Sequence, residues 1–340
     1  DVLGGTCLNE GCIPSKALIH ATEVLHAAAD AESFGISFKG PKIDIKKLRE
    51  WKNGIITKLN KGIATLCDKK KVTFVHGRGY FEDGKTLRVE TQKGQSFYSY
   101  DHCIIATGSK ASLPAAFDLG NKRIMTSKEA LELSDVPKHM LVVGAGYIGM
   151  ELGAVYAALG SKVSVIEAQS GMLAGADADL IRPVMAKAKE AFERLIFNAK
   201  IKKMATKGKT IQVDYVLDGK SHSECFDKVL VSVGRQPNSV NLGLENTAIK
   251  TDDKGFIIVD DTLKTAEASI YAIGDVAGGI LLAHKASKEA AIAVQAICGQ
   301  QVTKASMVVP CVVFTDPEVA WCGITETEAR EQKLDFEVSK

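Results

Sequence analysis

Residues 139–167 read HMLVVGAGYIGMELGAVYAALGSKVSVIE, and no other stretch of the chain restricts its fold so strongly. Residues 139–143 are an apolar strand and residues 144–149 a complete G-x-G-x-x-G turn. Residues 150–159 predict a helix and residues 162–167 a second strand. Such a βαβ unit calls for a parallel sheet with helices against it. In a turn of this kind Gly144 permits the tight bend, Gly146 lets a pyrophosphate approach the backbone, and Gly149 lets helix and strand touch. The helix start then offers unpaired N–H groups and the positive end of its dipole to an anion. Glu167 ends the second strand 23 residues after Gly144, where a reader of the ribose 2′-hydroxyl belongs. Its carboxylate repels a 2′-phosphate, and Ala168 and Gln169 supply no cation for one. The expectation is a dinucleotide site that takes NAD rather than NADP.

A second stretch, GGTCLNEGCIPSK at residues 4–16, places Cys7 and Cys12 at the head of a helix with four residues between them. A zinc site needs further cysteines or histidines at ligand spacing, and none follows. A structural disulfide closing so short a loop adds comparatively little stability. A helix start favours a thiolate, and a redox pair needs one thiol to attack and one to resolve. On a chain that also carries a dinucleotide site, redox catalysis is the favoured reading. A thiol pair carries two electrons and NADH a hydride, so a flavin is a chemically suitable relay. Thr107-Gly108-Ser109 and Gly274-Asp275, each at a strand end, suit a flavin, although a glycine there also serves as a plain turn.

The remaining six cysteines are scattered and read as small buried hydrophobes in a reducing compartment. With 340 residues there is material for two or three domains. A net charge of +2 gives no basic field for nucleic acid, and the apolar runs are too short to span a bilayer. Helices are predicted at 17–31, 46–69, 179–197 and 284–298. Strands are predicted at 72–77, 86–90, 96–100, 102–106, 211–217, 228–233 and 269–273. After Pro237 the chain is loop-rich. From residue 307 it reads strand, turn at Asp316-Pro317, strand, and a helix near Thr325.

Six stretches, in this order, resemble the flavoprotein disulfide reductases, the class I pyridine nucleotide-disulfide oxidoreductases: GGTCLNEGCIPSK, IIATGS, VVGAGYIGMELG, VSVGRQPN, YAIGDVAGGILLAHKA and VVFTDPEVAWCG. Within them CIPSK and LLAHKA are similar to the dihydrolipoamide dehydrogenase family, the E3 components of 2-oxo acid dehydrogenase complexes, and Glu167 agrees with the NAD use of that family. The resemblance implies an α/β fold with FAD and NAD domains of Rossmann type and the start of an α+β dimerisation domain. The expected bounds are 1–109 (FAD), 110–237 (NAD), 238–305 (FAD and central region) and 306–340 (dimerisation).

The same resemblance implies the site. Cys12 would be the charge-transfer thiolate beside the flavin and Cys7 the interchange thiol. Lys16 would reach the flavin and pair with Glu151. Gly79, Thr107, Gly108, Ser109 and Asp275 would contact FAD. Leu281, Leu282, Ala283 and His284 would line it, His284 as a packing residue rather than the catalytic base. Around NAD would lie Gly144, Ala145, Gly146, Tyr147, Ile148, Gly149, Met150 and Glu151, with Glu167 on the ribose and Ile201 and Gly234 at the border. No metal is implied. The implied partners are a second copy of the chain and the lipoyl domain and core of the E2 acyltransferase, in a bacterial cytoplasm or, in a eukaryote, the mitochondrial matrix.

Two features of the family are missing from the sequence: a second G-x-G-x-x-G upstream of the cysteines, and a His-Pro motif with a glutamate partner near the C-terminus. The expectation is therefore a piece of a longer protein, with little lipoamide activity as it stands. A sister disulfide or mercuric reductase, or a remnant that binds only nucleotide or a partner, are the alternative readings.

Overall fold

The structure is a computed structural model that describes residues 2–339. It divides into two compact units. One holds residues 60–110 and 235–309, with the described residues up to Thr6; the other holds 7–59, 111–234 and 310–339. Residues 7–59, which the sequence reading groups with the FAD region, thus lie in the unit that carries the G-x-G-x-x-G turn.

The larger unit is built on a five-stranded sheet in which Ile124–Met125, Lys228–Val231, His139–Val143, Lys162–Ile166 and Arg194–Ile196 are neighbours in that order, all parallel. A parallel sheet covered on both faces needs strands that are apolar on both faces. HMLVV meets that need: Met140 and Val142 face a helical layer with Met150, Leu152, Val155 and Tyr156. Leu141 and Val143 face the opposite way, into a cluster with Met204, Ile211, Val213, Tyr215 and Phe226. That second cluster comes from an antiparallel meander, Lys200–Lys207, Thr210–Leu217 and Lys220–Phe226. The helical layer includes Tyr147–Ala158, Ala178–Ala191 and Cys12–Asp30, whose Leu18 is fully buried in it. Val313 and Val319, from the antiparallel pair Cys311–Val313 and Val319–Trp321, join the same cluster.

In the other unit Cys103–Ile105 pairs in parallel with Ile270–Ala272. Ile270 and Ala272 pack toward Phe81, Ile249 and Ile257, while Tyr271 and Ile273 pack toward Ile292 and Ala293 of the helix Ala283–Ile297. A three-stranded meander, Arg78–Phe81, Thr86–Thr91 and Gly94–Ser99, completes it.

Several predicted elements move. Residues 72–77 form no strand: Val72 and Phe74 are exposed, and pairing starts at Arg78 opposite Glu90, where the partner strand runs out. The helix after the glycine turn starts inside the motif, at Tyr147, because Gly146 already serves as its N-cap. The helix predicted to reach residue 197 ends at Ala191. Phe192 turns extended to bury its ring against Gly153, which frees Arg194–Ile196 to pair with Lys162–Ile166. The strands Lys200–Lys207 and Lys220–Phe226 were not predicted; their lysines and serines flank a single buried residue each, Met204 and Phe226. No helix among the described residues is long and apolar enough to cross a membrane.

Candidate functional site

Cys7 lies in the short helix Gly5–Glu10, and Cys12 opens the helix Cys12–Asp30 directly after Gly11. Pro14 is tolerated because it sits in the first turn, where backbone N–H groups have no helical acceptor. Lys16 is one turn beyond Cys12 and so shares its face. Its Nζ donates to Glu151 Oε2 at 2.8 Å and Oε1 at 3.0 Å. Glu151, buried in the first turns of Tyr147–Ala158, thereby ties the helix bearing Cys12 to the helix that begins on the glycine turn.

The cysteines are unbridged in the structure. The Cys7 thiol donates to Cys12, and with the Lys16 ammonium close by this draws the Cys12 thiol down to about 6. Cys7, as the proton donor of the pair, is pushed well above the ordinary thiol range by that bond and by burial. In the dithiol state Cys12 is the thiolate and Cys7 the thiol. Because the Cys12 value is depressed, its ionisation stabilises the folded dithiol form above the free-thiol range, and that contribution is lost as pH falls through about 6. Thiolate absorbance of the reduced protein is expected to rise with a midpoint near pH 6. It should vanish in Cys12→Ser and move to higher pH in Cys7→Ser, which removes the donor. An unchanged titration in Cys12→Ser refutes the assignment.

At the glycine turn each glycine has its own constraint. Gly144 has φ +100°, and a Cβ there would lie 2.6 Å from the Ser232 carbonyl oxygen. At Gly149 a Cβ would come within 2.1 Å of the Gly144 oxygen. Gly146 faces open space, and the helix it caps has no side-chain cap on its first N–H groups. A turn closed on its protein side and open at its centre fits a pyrophosphate. Glu167 folds back on the turn, its Oε2 accepting from Ala145 N and its Oε1 from Gln169 N, both at 2.7 Å. Met150 is buried beneath the turn, Ile148 half-buried and Tyr147 exposed. Ile201 pairs with Tyr215 and packs against the meander side of the sheet; Gly234 follows the strand Lys228–Val231 with φ +123°.

Of the residues expected around FAD, Gly79 and Thr107 line a cavity of about 700 Å³, together with Ile105, Lys110, Asn238 and Val240. That volume suits part of a large cofactor. Thr107 Oγ1 donates to Asn238 O at 2.8 Å and Asn238 Nδ2 returns a bond to Thr107 O at 2.9 Å, which pins the glycine turn at Gly108. Ser109 and Asp275 lie outside that lining. Ser109 is buried; its hydroxyl donates to Asp275 and accepts from Arg235 Nε at 2.6 Å. Leu281 and Leu282 are half-buried before the helix Ala283–Ile297, and Ala283 and His284 are exposed on its first turn. The hydrogen-bonding groups around the cavity and at Asp275 fit the hydroxyls and phosphates of a dinucleotide.

A model of the family described as pyridine nucleotide-disulphide oxidoreductase matches residues 2–290, and that of the family's dimerisation domain matches residues 309–340. The chain belongs to the pyridine nucleotide-disulphide oxidoreductases. Dihydrolipoyl dehydrogenase 2 of Haloarcula marismortui is 41% identical over 97% of this chain and 70% of its own length. Dihydrolipoyl dehydrogenase of Staphylococcus aureus is 39% identical over 99% of this chain and 72% of its own. Among solved structures, the HOCl-induced flavoprotein disulfide reductase RclA from Escherichia coli is similar over 96% of this chain and 71% of its own, with 28% identity and a TM-score of 0.83. FAD and NAD(H) are the cofactors of this pyridine nucleotide-disulphide oxidoreductase family, the two groups expected from the sequence, and the dimerisation segment supports a homodimer.

Five further residues hold these sites and were not singled out from the sequence. Arg235 and Asn238 lie within VSVGRQPN and bind Ser109 and Thr107. Lys285 and Glu289 form a buried pair on the Gly274–Ala277 turn, and Phe314 touches both Lys16 and Glu151. Four of the five, Arg235, Asn238, Lys285 and Phe314, had a visible signal, their place in a quoted motif; Glu289 had none.

Proposed function

We propose that this chain carries the redox centre of a dihydrolipoamide dehydrogenase, which oxidises protein-bound dihydrolipoamide with NAD⁺ to give lipoamide, NADH and a proton. The observation that carries the reading is the Lys16–Glu151 ion pair, which joins the thiolate helix to the NAD-turn helix within one compact unit. Relatives named dihydrolipoyl dehydrogenase at 38–41% identity support the choice of substrate.

In the oxidised enzyme a substrate thiolate attacks the Cys7 sulfur, the Cys7–Cys12 bond breaks, and Cys12 leaves as the thiolate. Its depressed value makes it the better leaving group. The second substrate thiolate then attacks the substrate sulfur of the mixed disulfide and releases Cys7, which takes up a proton. Bound FAD supplies a two-electron carrier between a thiolate and nicotinamide. Gly79, Thr107, Gly108, Ser109, Asp275 and the 281–284 segment would hold it. The Gly144–Gly149 turn holds the NAD pyrophosphate, and Glu167 takes the ribose and selects against a 2′-phosphate. Ile201 and Gly234 border this site. The functional domains are 1–109, 110–237, 238–305 and 306–340. The partners are a second copy and the E2 lipoyl domain and core, in a bacterial cytoplasm or a mitochondrial matrix.

The test, made on the full-length protein, is NADH formation from dihydrolipoamide and NAD⁺, set against glutathione disulfide and mercuric ion as acceptors from NADH or NADPH. Lipoamide turnover should dominate, and Cys7→Ser or Cys12→Ser should each lower it more than about a thousandfold. Faster reduction of glutathione disulfide or mercuric ion overturns the substrate.

A further inference from the structure

We propose that Phe314 is a positioning residue of the thiol site, its ring and its backbone amide together fixing the Lys16–Glu151 pair beside Cys12. The inference rests on the reading of Cys12 as the reactive thiolate.

Lys16 Nζ lies 4.1 Å from the centroid of the Phe314 ring, within the range of a cation–π contact. The Phe314 N–H donates to Glu151 Oε1 at 3.0 Å, the same oxygen that accepts from Lys16. One residue therefore holds both members of the pair, the cation by its ring face and the anion by its amide. An ammonium on a four-carbon stem is otherwise free to rotate toward water, and Lys16 is about a third exposed at 31%. The ring limits that freedom from the side that Glu151 leaves open.

Phe314 is itself well placed to do this. It directly follows the strand Cys311–Val313, which pairs with Val319–Trp321. Val313 and Val319 are buried in the same cluster as Leu18, on the helix that carries Cys12 and Lys16. Thr315, next in the chain, is buried and donates to Pro317 O at 2.8 Å, which closes the turn. The side chains that act electrically on the Cys12 sulfur are the Cys7 thiol, the Lys16 ammonium and the Glu151 carboxylate, and Phe314 touches the last two. Residues 309–340 match the family's dimerisation domain, so that segment contributes to the electrostatics of the thiol centre through Phe314 as well as to assembly.

The experiment is the thiolate titration of the reduced protein, which requires neither turnover nor bound cofactor. Phe314→Leu keeps the backbone amide and removes the ring face. Its Cys12 midpoint should rise by about half a pH unit, roughly threefold in the ionisation constant, because the ammonium is held less closely. Phe314→Tyr should titrate like the wild type. Replacement by a ring-fluorinated phenylalanine, which keeps the shape and depletes the ring face, should move the midpoint in the same direction as leucine and covers the case in which the leucine variant does not fold. Lys16→Met should give the largest rise. An unmoved midpoint in the fluorinated protein, with Lys16→Met shifted, overturns the role of Phe314. If Cys12→Ser retains the titration, the thiolate assignment fails instead.

Discussion

Alanine at Gly149 is expected to abolish NAD(H) binding and to destabilise the larger unit, whereas alanine at Gly146 should abolish binding alone. The difference follows from what each new methyl group meets. At Gly149 it would lie 2.1 Å from the Gly144 oxygen, 2.7 Å from Ser232 Oγ and 3.0 Å from Val142 Cγ1. Val142 belongs to the sheet, Gly144 and Ser232 directly follow its strands, and the nearest atom is backbone, so no side chain can swing away to relieve it. The helix Tyr147–Ala158 must lift from the strand beneath it, at about 1–3 kcal/mol for the overpacking. At Gly146 nothing stands within 4 Å, and φ is −72°, ordinary for alanine. Stability there should stay within about 0.5 kcal/mol of the wild type. The methyl group projects from the open centre of the turn, where a pyrophosphate needs bare backbone. Affinity for NADH by fluorescence titration, paired with denaturation of each variant, checks both claims. Normal NADH affinity in Gly146→Ala would falsify the site.

This pair also shows which parts of the fold can be read from local sequence. The buried parallel strands were legible because HMLVV is apolar on both faces, which only a sheet covered on both sides requires, and KVSVI follows it across the glycine turn and helix as a βαβ unit. The glycine turn was legible because its three glycines answer three separate steric demands. Arg194–Ile196 was not, because its pattern continues the amphipathic helix before it. What ends that helix is Phe192 packing on Gly153, 39 positions earlier in the chain. Lys200–Lys207 and Lys220–Phe226 hide for a different reason. They bury one side of a meander and leave the other to solvent, and their lysines and serines mask the alternation. Residues 72–77 err the other way, with strand-like composition but no ladder pairing among the described residues.

The site divides along the same line. The cysteines, the glycines and Glu167 declare themselves by spacing within a short window. The residues that hold them do not. Arg235 meets Ser109 across 126 positions, and Glu151 accepts from Phe314 across 163. Such partners are fixed by the topology that brings strand ends together, and nothing local in either segment announces the other. Burial is equally invisible in sequence. Lys285 and Glu289 stand four apart on a helix with opposite charges, the usual signature of a solvated face.

In the structure they are among the most buried charges in the molecule, 5% and 4% exposed, and this makes Lys285→Met the most damaging charge removal expected outside the thiol and NAD sites. Lys285 Nζ has three acceptors for its three protons: Gly274 O at 3.1 Å, Gly278 O at 2.6 Å and Glu289 Oε1 at 2.9 Å. Glu289 Oε2 accepts from Gly274 N at 2.7 Å. The pair therefore clamps both ends of the turn that presents Asp275. Methionine in place of Lys285 leaves a carboxylate buried without its cation, a loss of about 3–5 kcal/mol. The double variant Lys285→Met with Glu289→Leu removes the stranded charge and should recover a large part of that loss. It should not restore the turn, because the Gly274 amide and the two carbonyls remain without side-chain partners. Denaturation should thus rank the double variant above the single one. Hydrogen exchange at Gly274 should be fast in both, since the bond that protects the amide is gone in one and weakened in the other. Should Lys285→Met unfold at the wild-type denaturant concentration, the pair is not the clamp its geometry describes, and the placement of Asp275 must depend on Ser109 and Arg235 alone.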